Sequence, residues 1–127
     1  MKSYPLFFLV ISSFLFSCNI FSSLHSNTVI EPGKDFVLGN NEHGSFRVQL
    51  KNDAKNTIQI YMAPISGGKH SGQPVAPNAT VKVKVDKNTA LVIQNPNKDT
   101  ASVILKVTGD TGLNMAINNL SAKTVTA

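Results

Sequence analysis

Apolar and polar residues alternate with a period of two along most of the chain, the pattern of strands that bury one face. Phe46, Val48 and Leu50 fall on one side, with Arg47, Gln49 and Lys51 on the other. Ile58, Ile60 and Met62 oppose Gln59 and Tyr61, and Val81, Val83 and Val85 alternate with Lys82 and Lys84. Ala101, Val103, Leu105 and Val107 alternate with Ser102, Ile104 and Lys106, and Leu113, Met115 and Ile117 with Asn114 and Asn118. Ala90 to Ile93 is apolar throughout and reads as a central strand, while Asp35 to Leu38 is a weaker strand that opens the domain. The expected core is Phe46, Val48, Ile58, Ile60, Val81, Val83, Leu91, Ile93, Val103, Leu105 and Met115.

Turn residues punctuate these segments. Asn52-Asp53, Asp86-Lys87-Asn88 and Asn95-Pro96-Asn97 suit tight or left-handed backbone. No stretch holds apolar residues at helical spacing for two full turns. Short strands at regular spacing predict an all-β fold, a small antiparallel β-sandwich of Ig-like or jelly-roll-like type, after an N-terminal signal peptide. One stretch breaks the rhythm: Pro64 to Asn78 reads as a fifteen-residue loop with Lys69 and His70 at its tip. Loops of that length in a compact domain are usually functional or mobile.

The N-terminus has a different character. Lys2 precedes an apolar run from Leu6 to Phe16, the form of a secretory signal peptide. Leu15-Phe16-Ser17-Cys18 resembles the lipobox of bacterial lipoproteins, with Cys18 the only cysteine in the chain. The resemblance implies removal of residues 1–17 and lipidation of Cys18, a membrane attachment through two or three acyl chains. It divides the chain into a signal peptide (1–17), a lipidated cysteine with a flexible Ser/Asn-rich tether (18–29), a sandwich domain (30–120) and a tail (121–127). Asn19, where an Asp would signal inner-membrane retention, and the uncharged Asn19 to Ser23 imply an outer-membrane protein facing the periplasm.

Removing residues 1–17 leaves eleven basic against seven acidic residues, a net charge of +4. The cations are spaced singly. Arg47, Lys51, Lys82, Lys84 and Lys106 fall on polar strand faces and can form a diffuse positive surface. Such a surface suits headgroup or lipopolysaccharide phosphates or an acidic partner, or merely guards strand edges.

Catalytic chemistry is poorly supplied. His25, His43 and His70 have no metal-ligand spacing and are expected to be exposed. Ser66 and Ser71 do not sit in a Gly-x-Ser-x-Gly frame, and the acids lie in or beside turns. No enzyme, cofactor, metal site or nucleic-acid partner is expected. Asp99-Thr100-Ala101 resembles a Bacteroidetes O-glycosylation acceptor. The leading expectation is a non-enzymatic adhesion or scaffold module that contacts an envelope component. The alternative is a ligand-binding or chaperone-like lipoprotein that captures a glycan, lipid or metal at the 64–78 loop. A concavity lined by Tyr61, Lys69 and His70 favours the alternative, a flat surface the scaffold.

Overall fold

The computed structural model describes residues 23–119. Cys18 and the expected signal peptide lie outside the described residues, as does the tail. Nine strands follow in order: β1 (Ser23–Ile30), β2 (Lys34–Leu38), β3 (Phe46–Asn52), β4 (Ile58–Pro64), β5 (His70–Val75), β6 (Thr80–Val85), β7 (Thr89–Asn95), β8 (Ala101–Gly109) and β9 (Met115–Asn119). One sheet has the order β1-β8-β3-β6 and the other β5-β4-β7-β2-β9, with every pairing antiparallel.

Four of these pairings nest inside one another: β1 with β8, β2 with β7, β3 with β6 and β4 with β5. The chain is thus a long hairpin, with its tip between β4 and β5, rolled so that successive strand pairs alternate between the two sheets. That order is a jelly roll, to which β9 adds a strand beside β2. The expected all-β sandwich is present, in its jelly-roll form.

The period-two pattern explains the core. Phe46, Val48, Leu50, Ile58, Ile60, Leu91, Ile93, Val103, Leu105 and Val107 are all buried between the sheets. Each such side chain contributes about 1.5–3 kcal/mol before chain entropy is counted. Val81 and Val83, on edge strand β6, are half-buried and pack against this core. Met115 departs from expectation, being 45% exposed. Its register opposite Leu38 puts it on the core side, but β9 lies at the outer edge of a five-stranded sheet that faces a four-stranded one.

Two boundaries also differ from the sequence reading. Residues 23–29, expected in the tether, form most of β1 and pair with β8 along their whole length. The ladder explains this: β8 offers a second edge, and Ser26, Thr28 and Asn27 can pair through backbone whatever their side chains. Pro64 to Asn78 is not one loop, because His70–Val75 forms β5. What remains is a short link closed by Gly67 N–H donating to Pro64 O (2.9 Å), and a turn closed by Ala79 N–H donating to Ala76 O (3.0 Å). An edge strand containing Gly72 and Pro74 carries no alternation to betray it.

Asparagines secure the ends of β3 and β7 in the same way. Buried Asn52 donates to Asn56 O and Val75 O (both 2.9 Å) and accepts from Ala54 N–H (3.0 Å). Buried Asn95 donates to Ile30 O (2.9 Å) and Asp99 O (2.8 Å) and accepts from Asn97 N–H (3.2 Å). The shared pattern Asn-x-x-Lys-Asn/Asp-Thr (residues 52–57 and 95–100) repeats the corner, tying each to the opposite sheet or a neighbouring strand. Gly109, at φ +94°, has no alternative: a Cβ there would stand 3.0 Å from Ser45 O and 3.1 Å from Phe46 Cα.

Candidate functional site

The hairpin tip brings the three predicted site residues together. Tyr61 projects from β4 on the face turned away from the core, beside Val92 of β7, which in turn neighbours Val37 of β2. Val37, Ala90 and Val92 form a second buried apolar cluster, against which Tyr61 and Ala63 pack. One register step along, Gln59 and Gln94 face each other across β4 and β7, both half-buried. Lys69 comes back from the tip and sets its Nζ 5.0 Å from the centroid of the Tyr61 ring, a cation–π contact.

The ladder is irregular at this point. Ile60 pairs with Gln73 but Met62 pairs with His70, so β5 carries a bulge between them. Within it Ser71 adopts φ +58°, a left-handed conformation few non-glycine residues take. Bulges re-aim side chains, and backbone of this kind clusters at binding sites. His70 Nδ1 lies 2.8 Å from Ser71 Oγ. Together Gln59, Ile60, Tyr61, Lys69, His70, Gly72 and Gln94 line an open depression of about 310 Å³. The depression is shallow and open to solvent.

Its chemistry is that of recognition. An aromatic ring supplies an apolar floor, two amides supply paired donors and acceptors, and Lys69 supplies a positive charge. The Ser71–His70 contact joins exposed neighbours in sequence, without a carboxylate among the lining residues to orient the imidazole. Among the described residues no three His, Cys, Asp or Glu gather as a metal site would require. Nothing in the sequence singles out the glutamines beyond their polar strand positions; only the cross-strand register of β4 and β7 pairs them.

The remaining histidines serve the fold or the surface. His43 was expected to be exposed but is half-buried, its ring nitrogens against the carbonyl oxygens of Gly44 and Thr89 (2.8 Å for the latter) and its edge on Phe46. His25 is exposed on β1. Asp110 accepts hydrogen bonds from the Gly44 N–H (2.6 Å) and the Gly112 N–H (2.8 Å). These two donors, the first foremost, and nearby His43 hold its carboxyl below the usual carboxylate range.

A second concavity of about 360 Å³ lies on the opposite sheet, lined by Arg47, Gln49, Lys82, Lys84, Lys106 and Thr108 with Val48 and Val83 at its base. The cations singled out in the sequence, Lys51 aside, thus converge on one surface. Among the described residues the one ion pair within 4 Å is Lys34–Glu31, so none of these cations is paired there.

No family model matches the chain, and no curated protein does. Among solved structures, CapF, in a crystal structure with the inhibitor 3-isopropenyl-tropolone, is similar over 65% of this chain, at 16% identity and a TM-score of 0.50. The Drosophila melanogaster CENP-C cupin domain matches over 67% of the chain at 10% identity and a TM-score of 0.46. A Yersinia pseudotuberculosis-derived mitogen matches over 75% at 14% identity and 0.44. The chain spans 23% of the CapF chain and 59% of the CENP-C domain. Similarity at this identity concerns the fold alone.

Proposed function

We propose that this chain is a non-enzymatic envelope lipoprotein that binds a glycan bearing an acidic group in the depression at the hairpin tip. The observation that carries the reading is the convergence of Tyr61, Lys69, His70, Gln59 and Gln94 on one concave surface. A sugar ring presents an apolar face to stack on an aromatic and hydroxyls for the amides, and a carboxylate or sulfate would draw Lys69 away from the Tyr61 ring. The depression lies at the small end of ligand sites, fitting one or two sugar rings rather than a long chain. Anchoring rests on the lipobox resemblance of Leu15-Phe16-Ser17-Cys18: two or three acyl chains on Cys18, at about 0.8 kcal/mol per buried CH₂, give a lasting attachment.

Binding to an array of neutral and acidic glycans tests the reading, with Tyr61→Ala and Lys69→Ala alongside. Acidic glycans are expected to bind, Tyr61→Ala to abolish binding and Lys69→Ala to erase the preference for acidic over neutral sugars. Retention of both properties in both variants would overturn it. Intact-mass analysis of detergent-extracted protein tests the anchor separately: a mature chain starting elsewhere, or an unmodified Cys18, contradicts it.

A further inference from the structure

We infer that the outward face of the four-stranded sheet is a docking surface for the phosphate-bearing headgroups of the membrane that holds the anchor. The registers place its residues in rows across β1, β8, β3 and β6. Ser23, Thr108, Arg47 and Lys84 form one row, and His25, Lys106, Gln49 and Lys82 the next. Strands lie about 4.8 Å apart and alternate residues about 7 Å apart, so the backbone positions of four cations fall within a patch of about 10 by 7 Å. Lys51 stands one row further on, opposite Thr80 and Ile104.

No acid occupies this face: its strand positions hold Ser23, His25, Asn27, Val29, Arg47, Gln49, Lys51, Thr80, Lys82, Lys84, Ser102, Ile104, Lys106 and Thr108 alone. Arg47 and Lys84 stand directly opposite each other, a like-charge pairing that weakens a sheet. The acids at this end of the sandwich, Glu42, Asp86 and Asp110, belong to loops, and Asp110 is held by Gly44 and Gly112. The concavity that Arg47, Lys82, Lys84 and Lys106 share is open to solvent chemistry of the opposite sign.

The position of the chain's entry selects membrane phosphate among anionic partners. The two cationic rows lie at the end of the sheet where β1 begins, at Ser23 and His25. Ser23 follows Cys18 by five positions, a reach of at most about 18 Å when fully extended. This part of the inference rests on the anchored reading: lipid at Cys18 keeps the cationic end of the sheet beside the headgroups. The Tyr61 depression lies on the outward face of the other sheet, so docking in this way turns it from the membrane.

Lysine acetylation footprinting of the lipidated protein, reconstituted in vesicles and read by mass spectrometry, tests the inference. Vesicles of phosphatidylcholine alone are compared with vesicles containing phosphatidylglycerol, at low and at about 1 M salt, where charges are screened beyond about 3 Å. Lys82, Lys84 and Lys106 should be protected several-fold on the anionic vesicles at low salt, and Lys69 should react equally everywhere. Each basic residue near an anionic surface is worth about fivefold in binding, so Lys82→Gln with Lys84→Gln should weaken the preference for anionic vesicles by about 25-fold. Flotation with neutral vesicles reads the anchor by itself. Protein that floats with both vesicle types but shows no protection overturns the docking surface and leaves the anchor standing. Protein that floats only with anionic vesicles, protected at these lysines and released by salt, upholds the surface and removes the anchor. Protection of the same lysines by free inorganic phosphate, undiminished without vesicles, would overturn the membrane as occupant.

Discussion

The two outward faces of this sandwich are built from the same alternation and could hardly differ more. On the four-stranded sheet the outward positions are polar and basic, with Arg47, Lys82, Lys84 and Lys106 around one concavity. On the five-stranded sheet an apolar row, in which Val37, Ala90 and Val92 are buried and Tyr61 and Ala63 pack beside them, adjoins a polar row of Gln59, Gln94 and the buried Asp35. A lysine on a strand keeps its charge in water and adds little to folding, whereas a buried valine is part of the stability. The first face is therefore free to serve a charged surface. The second has a rigid apolar floor on which one aromatic ring can be held for a ligand.

Substitutions that reach both faces should have the largest effects. Leu105→Ala in the common core is expected to cost about 2–5 kcal/mol in urea unfolding and to weaken both proposed binding surfaces together. Gly109→Ala should cost about 1–3 kcal/mol, because the residue combines a left-handed φ with backbone contact at 3.0 Å; a neutral result would show that β8 can shift there. Smaller substitutions separate the faces. Val92→Ala is expected to lose about 1.5 kcal/mol, while Lys82→Ala should stay within about 0.5 kcal/mol of the parent. Equal losses from the two would erase the distinction between an apolar floor and a charged surface.

The smallest expected effect is a pH dependence at the loop end. Asp110 titrates lower in the folded protein than in the unfolded chain, chiefly through the Gly44 N–H and then the Gly112 N–H. Its stabilising contribution is complete above the ordinary carboxylate range near pH 4 and is lost as pH falls through the lowered folded value. Asp110→Asn should therefore unfold slightly more easily at neutral pH, and the difference from the parent should vanish in strong acid. A difference that persists unchanged at low pH would assign the effect to packing.

Most of the sandwich was legible in the sequence because its inner strands bury one face completely. Val48, Ile60, Val103 and Leu105 show it plainly, and the unbroken apolar Ala90 to Ile93 marked the strand that is covered on both sides. Edges were harder. Ser23–Ile30 and His70–Val75 pair through backbone, and backbone pairing leaves no trace in Ser, Asn, Gly or Pro side chains. Met115 misled for the converse reason: alternation tells which face a residue takes, not whether another layer covers it. Tyr61, Lys69 and His70 can be singled out by their position around the tip, but Gln59 and Gln94 stand 35 residues apart and meet only through the register of β4 and β7. The repeated asparagine corners lay open in the sequence as 52–57 and 95–100, and become intelligible once Asn52 and Asn95 are seen to be buried.

The depression at the hairpin tip carries its own reporter. The chain has no tryptophan and two tyrosines, Tyr4 and Tyr61, so removal of residues 1–17 leaves Tyr61 as the only such fluorophore. Titrating the mature protein with an acidic oligosaccharide, while following tyrosine emission, measures binding at that ring directly. The expected result is a saturable change that is stronger for the acidic oligosaccharide than for a neutral analogue in the parent and equal for the two in Lys69→Ala. Saturable binding measured by calorimetry with tyrosine emission unchanged would place the ligand elsewhere and contradict the account.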